Sequence, residues 1–214
     1  MSAAGCRVAI LALTLQLDGG TARERTSVSL TVGVTGPPSL AGSTQREFHH
    51  LIPGFYEPIG WEHQLPTEPA FALAAARSWR IAPVGPAGRH VDLVPAIGGS
   101  MGTLRTGGAA GIRMRAGTSL AHPWHASDRP ALAPYVFAGA SAEAVIWDLF
   151  LDGTVFRQSL STTHKPLVGQ WEYGAGVWVH RFGLEYGSVT RTRQFRAGPP
   201  THTYGSFRLS WTLR

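Results

Sequence analysis

Apolar and polar residues alternate with a period of two along most of this chain. In residues 26–35, Val28, Leu30, Val32 and Val34 fall on one face, while Ser27, Ser29, Thr31, Gly33 and Thr35 fall on the other. Successive side chains of a strand point to opposite faces, so this period predicts β-structure. In residues 7–17, Ala9, Leu11, Leu13, Leu15 and Leu17 form an apolar face, and the other face is mixed: Val8, Ile10, Ala12, Thr14 and Gln16. Asp18-Gly19-Gly20 between the two runs reads as a hairpin turn. Further strands are expected at roughly 69–81, 89–100, 103–116, 134–151, 154–162, 166–180, 182–196 and 203–213, about ten in all. Many approach or exceed the ~10 residues of a membrane-crossing strand, against the 5–6 typical of soluble ones.

Each strand is apolar on one face and carries Ser, Thr, Gly, Arg or Glu on the other. In a soluble β-sandwich binding module the apolar faces would meet in a core. In an antiparallel transmembrane β-barrel they would face lipid, with the polar faces inside. Alternation is compatible with both. Strand length, seven tryptophans and aromatics near strand ends (Trp79, Tyr135, Trp147, Tyr186, Tyr204) favour the all-β barrel. Leu11, Leu13, Leu15, Val28, Leu30 and Val32 should then point outward, with Ser29 and Thr31 inside.

Between the second and third of these runs the alternation stops. Gly36-Pro37-Pro38 breaks the chain, and Pro53-Gly54 closes the stretch that follows. Residues 39–52 read as one short helix of about three turns, capped near Ser39 or Ser43. Gln45 and His49 are four apart on it, which stacks them on one face. His49 thus has a firm seat and a polar neighbour, as a general base needs. The plainer reading makes His49 and His50 an exposed pair favoured by the helix dipole. His63, His90, His164, His180 and His202 are scattered. His122-Pro123-Trp124-His125 reads as an ordinary loop rather than a metal site.

Composition adds three points. With 26 glycines and 15 prolines in 214 residues, long helices are not expected, while 43% apolar content argues against disorder. The net charge of +6 comes from arginine, for Lys165 is the one lysine. Arginine grips phosphate and carboxylate, which suits a phosphorylated partner. The cations are spread rather than clustered, which argues against nucleic acid. Cys6 is the single cysteine, so no disulfide framework or cysteine metal site is available, and asparagine is absent. Residues 8–17 resemble the apolar core of a signal peptide, but no small-residue cleavage site follows, and they read as a strand. The chain as given carries no export signal.

An ordered set of short runs resembles the outer-membrane lipid A 3′-O-deacylase family. It comprises Gly36-Pro37-Pro38-Ser39-Leu40, Gln45-Arg46-Glu47-Phe48-His49, Gly60-Trp61-Glu62-His63-Gln64-Leu65 and Glu68-Pro69. Asp92-Leu93-Val94-Pro95, Met101-Gly102-Thr103, Tyr135-Val136-Phe137-Ala138-Gly139, Phe150-Leu151-Asp152-Gly153, Arg191-Thr192-Arg193-Gln194-Phe195 and Tyr204-Gly205-Ser206 continue it. The resemblance implies a twelve-stranded barrel in the bacterial outer membrane. It implies an ester hydrolase that removes the 3′-acyloxyacyl group of lipid A, or lipopolysaccharide, as a monomer among outer-membrane lipids. By resemblance the catalytic His is His49 and its helical partner Gln45. Calcium is the implied cofactor, with Glu57 as the nearest downstream carboxylate to hold it.

The chain also departs from the pattern. The resemblance starts near Ala4-Gly5, where the family reads D-R-P-Y-A-G. The family's upstream Asn-Asp pair, Ser or Thr and Lys have no counterpart here. Ten expected strands against twelve correspond to an N-terminally truncated barrel without the first hairpin, weak or inactive as a hydrolase. A non-catalytic barrel of the same descent, structural or pore-forming, is the next reading, and a soluble sandwich the third.

Overall fold

A computed structural model describes residues 10–51, 65–82, 90–120, 124 and 131–211. The alternating runs form nine strands: β1 (Ile10–Gly20), β2 (Glu24–Thr35), β3 (Pro69–Trp79), β4 (Val91–Gly102), β5 (Arg105–Gly117), β6 (Leu132–Asp148), β7 (Leu167–Val179), β8 (Phe182–Thr192) and β9 (Thr201–Trp211). They pair only with sequence neighbours, antiparallel throughout, in the order β1 to β9. The connections β2–β3, β4–β5, β6–β7 and β8–β9 therefore share one end of the sheet. β1 and β9 are its two edges.

The outward face is apolar. Leu11, Leu13, Leu15, Val28, Leu30 and Val32 are all exposed, between 43% and 79%. Leu184, Phe207, Leu209 and Trp211 continue the apolar surface on β8 and β9. The concave face is polar and holds the charges. Arg113 on β5 and Glu185 on β8 are three strands apart, yet their side chains meet at 2.8 Å. Strands lie about 4.8 Å apart, so a flat sheet would hold these two positions roughly 14 Å from each other. The sheet is therefore strongly curled. This is the barrel arrangement, and a two-sheet sandwich with a buried apolar core is not what forms. On β2, Leu30→Arg should cost about 2–4 kcal/mol if it lies at mid-depth in a bilayer, falling toward zero near the interfaces. Urea unfolding in lipid vesicles would read this.

Two strand expectations are corrected. Asp18-Gly19-Gly20 is not the turn but the end of β1, paired to Ser27, Thr26 and Arg25. Asp18 accepts two hydrogen bonds from the Arg25 guanidinium at 3.0 and 2.6 Å, which carries the ladder past the glycines. The turn falls at residues 21–23, closed by Thr21 N–H to Glu24 O. Residues 154–162 form no strand, so the described sheet has nine strands rather than ten. Here α2 (Leu149–Asp152) follows β6, with Asp148 accepting from the Phe150 N–H as its cap. Side chains then take the backbone bonds a ladder would need. Thr154 N–H donates to Ser159 Oγ, and Thr154 Oγ1 donates to Arg157 O.

Candidate functional site

The site begins with the excursion between β2 and β3. Its two ends are clasped together. Thr35 N–H donates to Glu68 O at 3.0 Å, Thr35 Oγ1 donates to Pro66 O at 2.7 Å, and Glu68 N–H donates to Thr35 Oγ1 at 3.2 Å. Thr35 is completely buried. Gly36, at φ 75°, comes so close to the returning chain that a Cβ would meet Leu65 O at 2.8 Å and Thr67 N at 2.9 Å. Only glycine suits both the backbone angle and the contact. Removing the hydroxyl with Thr35→Val strands a buried N–H and carbonyl, at a cost of about 1–3 kcal/mol. Thermal unfolding in detergent should show that loss, and Thr35→Ser should recover most of it.

From this clasp the chain makes a 3-10 turn over Pro37–Ser39 and enters α1 (Ala41–Leu51). Leu40 separates the two at φ 57°. The helix therefore starts two residues later than the sequence suggests, and neither serine stands at its N-cap: Ser39 closes the turn and Ser43 lies inside α1. It is the longest helix among the described residues. Gln45 is half-buried, and His49 stands one turn farther along the helix backbone. Glu57, the expected calcium ligand, lies outside the described residues, as do Trp61 and His63.

The described carboxylates around α1 do not gather. Glu47 is exposed on the helix. Glu68 is buried, and its Oε2 accepts from the Phe156 N–H at 3.1 Å. That bond fastens the β6–β7 connection to the base of the helical excursion. Leu65, Ala70 and Leu149 pack together beside it with Leu104. No group of three or more His, Cys, Asp or Glu residues that could hold a metal occurs among the described residues. The calcium assignment thus depends on residues beyond those described.

Sequence reasoning missed two polar groupings. The first is a ribbon of ion pairs across the concave face. Asp92, wholly buried, accepts two hydrogen bonds from Arg115 at 2.9 and 2.6 Å and one from Arg80 at 2.8 Å. Glu185 accepts from Arg113 and, at 2.8 Å, from the Tyr135 hydroxyl. Glu143 bridges Arg105 and Arg191 at 2.6 and 3.0 Å. Beyond them a cavity of about 740 Å3 opens toward the β1–β2 and β7–β8 turns, bordered by Arg25, Arg115, Tyr135, Trp178 and Arg208. Arg113 and Arg115 alternating with Ile112 and Met114 was the signal for an interior charged face.

The second grouping is in the β6–β7 connection. His164 Nδ1 lies 2.6 Å from Asp152 Oδ1, and the other Asp152 oxygen accepts from the Asp148 N–H. The sequence suggested no role for His164. Its neighbour in space, Asp152, sits in the Phe150-Leu151-Asp152-Gly153 run, twelve residues earlier.

Comparison with known proteins agrees with this architecture. The family described as outer membrane protein LpxR matches residues 8–213. The solved structure of LpxR from Salmonella typhimurium superposes with a TM-score of 0.80 at 18% identity, over 96% of this chain and 73% of that one. No curated protein sequence matches the chain.

Proposed function

This chain belongs to the LpxR family of outer-membrane proteins, and from that premise we propose that it is an ester hydrolase of the lipid A 3′-O-deacylase type. The observation that carries the reading is α1. The family match runs through it, and it forms as a helix between two clasped strand ends with Gln45 and His49 one turn apart. His49 serves as the base that takes a proton from water. Gln45 is its polar partner on the helix. The ester attacked is the one holding the 3′-acyloxyacyl group of lipid A in the outer leaflet. The apolar outer face of β1–β9 spans the membrane as a monomer and holds the helix at one end of the barrel. Calcium, when bound, would polarise the ester carbonyl oxygen and stabilise its developing charge, with Glu57 as a residue that holds it.

The 214 residues contain no asparagine, and Lys165 lies in the β6–β7 connection rather than before the helix. The upstream Asn-Asp pair and Lys of the family pattern are thus missing from them. We therefore expect the chain by itself to release acyl chains slowly or not at all. The test is ester release from purified lipid A in detergent, with calcium and with a chelator. Release should appear, and should depend on calcium, once a family N-terminal segment with the Asn-Asp pair is joined to the chain. The non-catalytic reading expects no release from either form. As an open pore it would also have to pass the Arg113–Glu185 and Arg191–Glu143 pairs that bridge the interior.

A further inference from the structure

The β6–β7 and β8–β9 connections lie at the same end of the barrel as α1, and a short antiparallel ribbon joins them. Lys165 N–H donates to Gln194 O at 2.8 Å, and Arg196 N–H donates to Thr163 O at 3.1 Å. Between these bonds His164 stands opposite Phe195 as an isolated bridge. Side chains alternate across such a ribbon. His164 and Phe195 therefore share one face, and the bond from His164 to Asp152 turns that face toward the protein. Thr163, Lys165, Gln194 and Arg196 share the other.

On this second face Lys165 sits directly across from Gln194 and diagonally from Arg196. Diagonal partners lie about 7–8 Å apart. Two like charges at that distance repel unless something between them is negative. No carboxylate pairs with either Lys165 or Arg196 among the described residues, whereas most interior arginines have one. The remaining corners are a hydroxyl and a carboxamide, both neutral donors. Thr163 and Arg196 are exposed, and Lys165 and Gln194 half-buried, so the face is open to ligand yet held by its frame. The frame is anchored twice more, through Thr162 N–H to Leu151 O and Phe156 N–H to Glu68 Oε2.

We propose that Thr163, Lys165, Gln194 and Arg196 form a phosphate-binding face that seats a phosphate of the lipid A headgroup. The ammonium, guanidinium, hydroxyl and amide are four donors around one oxyanion, and charge-assisted bonds of this kind are the strong ones. The Glu68–Phe156 bond ties this loop to the base of the helical excursion, so a headgroup held here lies at the helix-bearing end of the barrel. The proposal rests on the lipid A reading above and names how that substrate is held.

The test compares the chain with Lys165→Gln/Arg196→Gln, both in detergent micelles. The probes are bisphosphorylated lipid A, the same lipid A with its phosphates removed, and inorganic phosphate as competitor. Binding is followed by tryptophan fluorescence. Phosphorylated lipid A should bind the double variant at least tenfold more weakly, since each charge-assisted bond is worth about a factor of ten. Dephosphorylated lipid A should bind both proteins alike, and inorganic phosphate should compete only with the phosphorylated lipid. Arg181→Gln, at the opposite end of the barrel, should leave all three unchanged, and unaltered heat-modifiable gel mobility establishes that the double variant is folded. Equal binding of phosphorylated lipid A by the folded double variant overturns the proposal, as does an equal loss for the dephosphorylated lipid. Phosphate-dependent binding without ester release in the extended chain would sink the hydrolase reading and leave this face standing. Ester release indifferent to both substitutions would do the reverse.

Discussion

Asp92→Ala should destabilise the barrel by about 3–5 kcal/mol, the largest single loss expected from any side chain in the interior. Asp92 is wholly buried and is the shared partner of Arg115, itself buried, and of Arg80. Removing it takes away the carboxylate that accepts two hydrogen bonds from the buried Arg115 guanidinium. Arg115 is 6% exposed, so water makes up little of that loss. The figure is the cost of orphaning the buried Arg115 cation, not the net worth of the ion pair, which burial makes much smaller. The control is Asp18→Ala. The Asp18–Arg25 pair has comparable distances, but its side chains are 44% and 30% exposed. Water screens that pair, and its loss should cost no more than about 1 kcal/mol. Urea unfolding of both variants in the same lipid separates the two values. Similar losses would mean that the concave face is wetter at Asp92 than its burial indicates.

His49→Ala should lower 3′-deacylation by about 10²–10⁴-fold in the form of the protein that carries the family's upstream segment. The base acts on the chemical step, so the loss should fall on kcat with little change in KM. Gln45→Ala should cost less, because on the proposed reading Gln45 is the polar partner of the base and does not take the proton. Lipid A binding by the His49→Ala protein should be unaltered, since the phosphate face lies on a different pair of connections. Full turnover by His49→Ala would place the base elsewhere.

The barrel was legible because its solvent is inverted. Leu30 and Val32 alternate with polar residues as strictly as any soluble strand; strand length and aromatic placement pointed them outward, where they and Leu11 and Leu13 are exposed. The helix was legible because alternation stops at Gly36-Pro37-Pro38 and resumes past Glu68. Residues 154–162 misled because Val155, Phe156 and the nearby Thr and Ser residues suit a strand. The competing factor was local: Asp148, Thr154 and Ser159 bond to nearby backbone and hold the segment in turns. The interior ion pairs were not legible, because they depend on register. Arg113 and Glu185 are 72 residues apart and meet only after three hairpins are aligned and the sheet curls. Asp152 and His164 are much closer in sequence, yet nothing in their spacing announces a bond across an irregular loop. The phosphate face has the same origin. Lys165 stood out in the sequence as the single lysine, but Arg196 becomes its neighbour only through the ribbon at Thr163 and Gln194.

On the proposed reading this family member cleaves one particular ester of lipid A with a base on α1. Mass spectrometry of lipid A after incubation with the N-terminally extended chain and calcium is the decisive measurement. The predicted result is a single product that has lost the 3′-acyloxyacyl group and kept its chains at position 2, formed by the His49 protein and not by His49→Ala. Lipid A recovered intact from the folded, extended, calcium-supplied protein would contradict it.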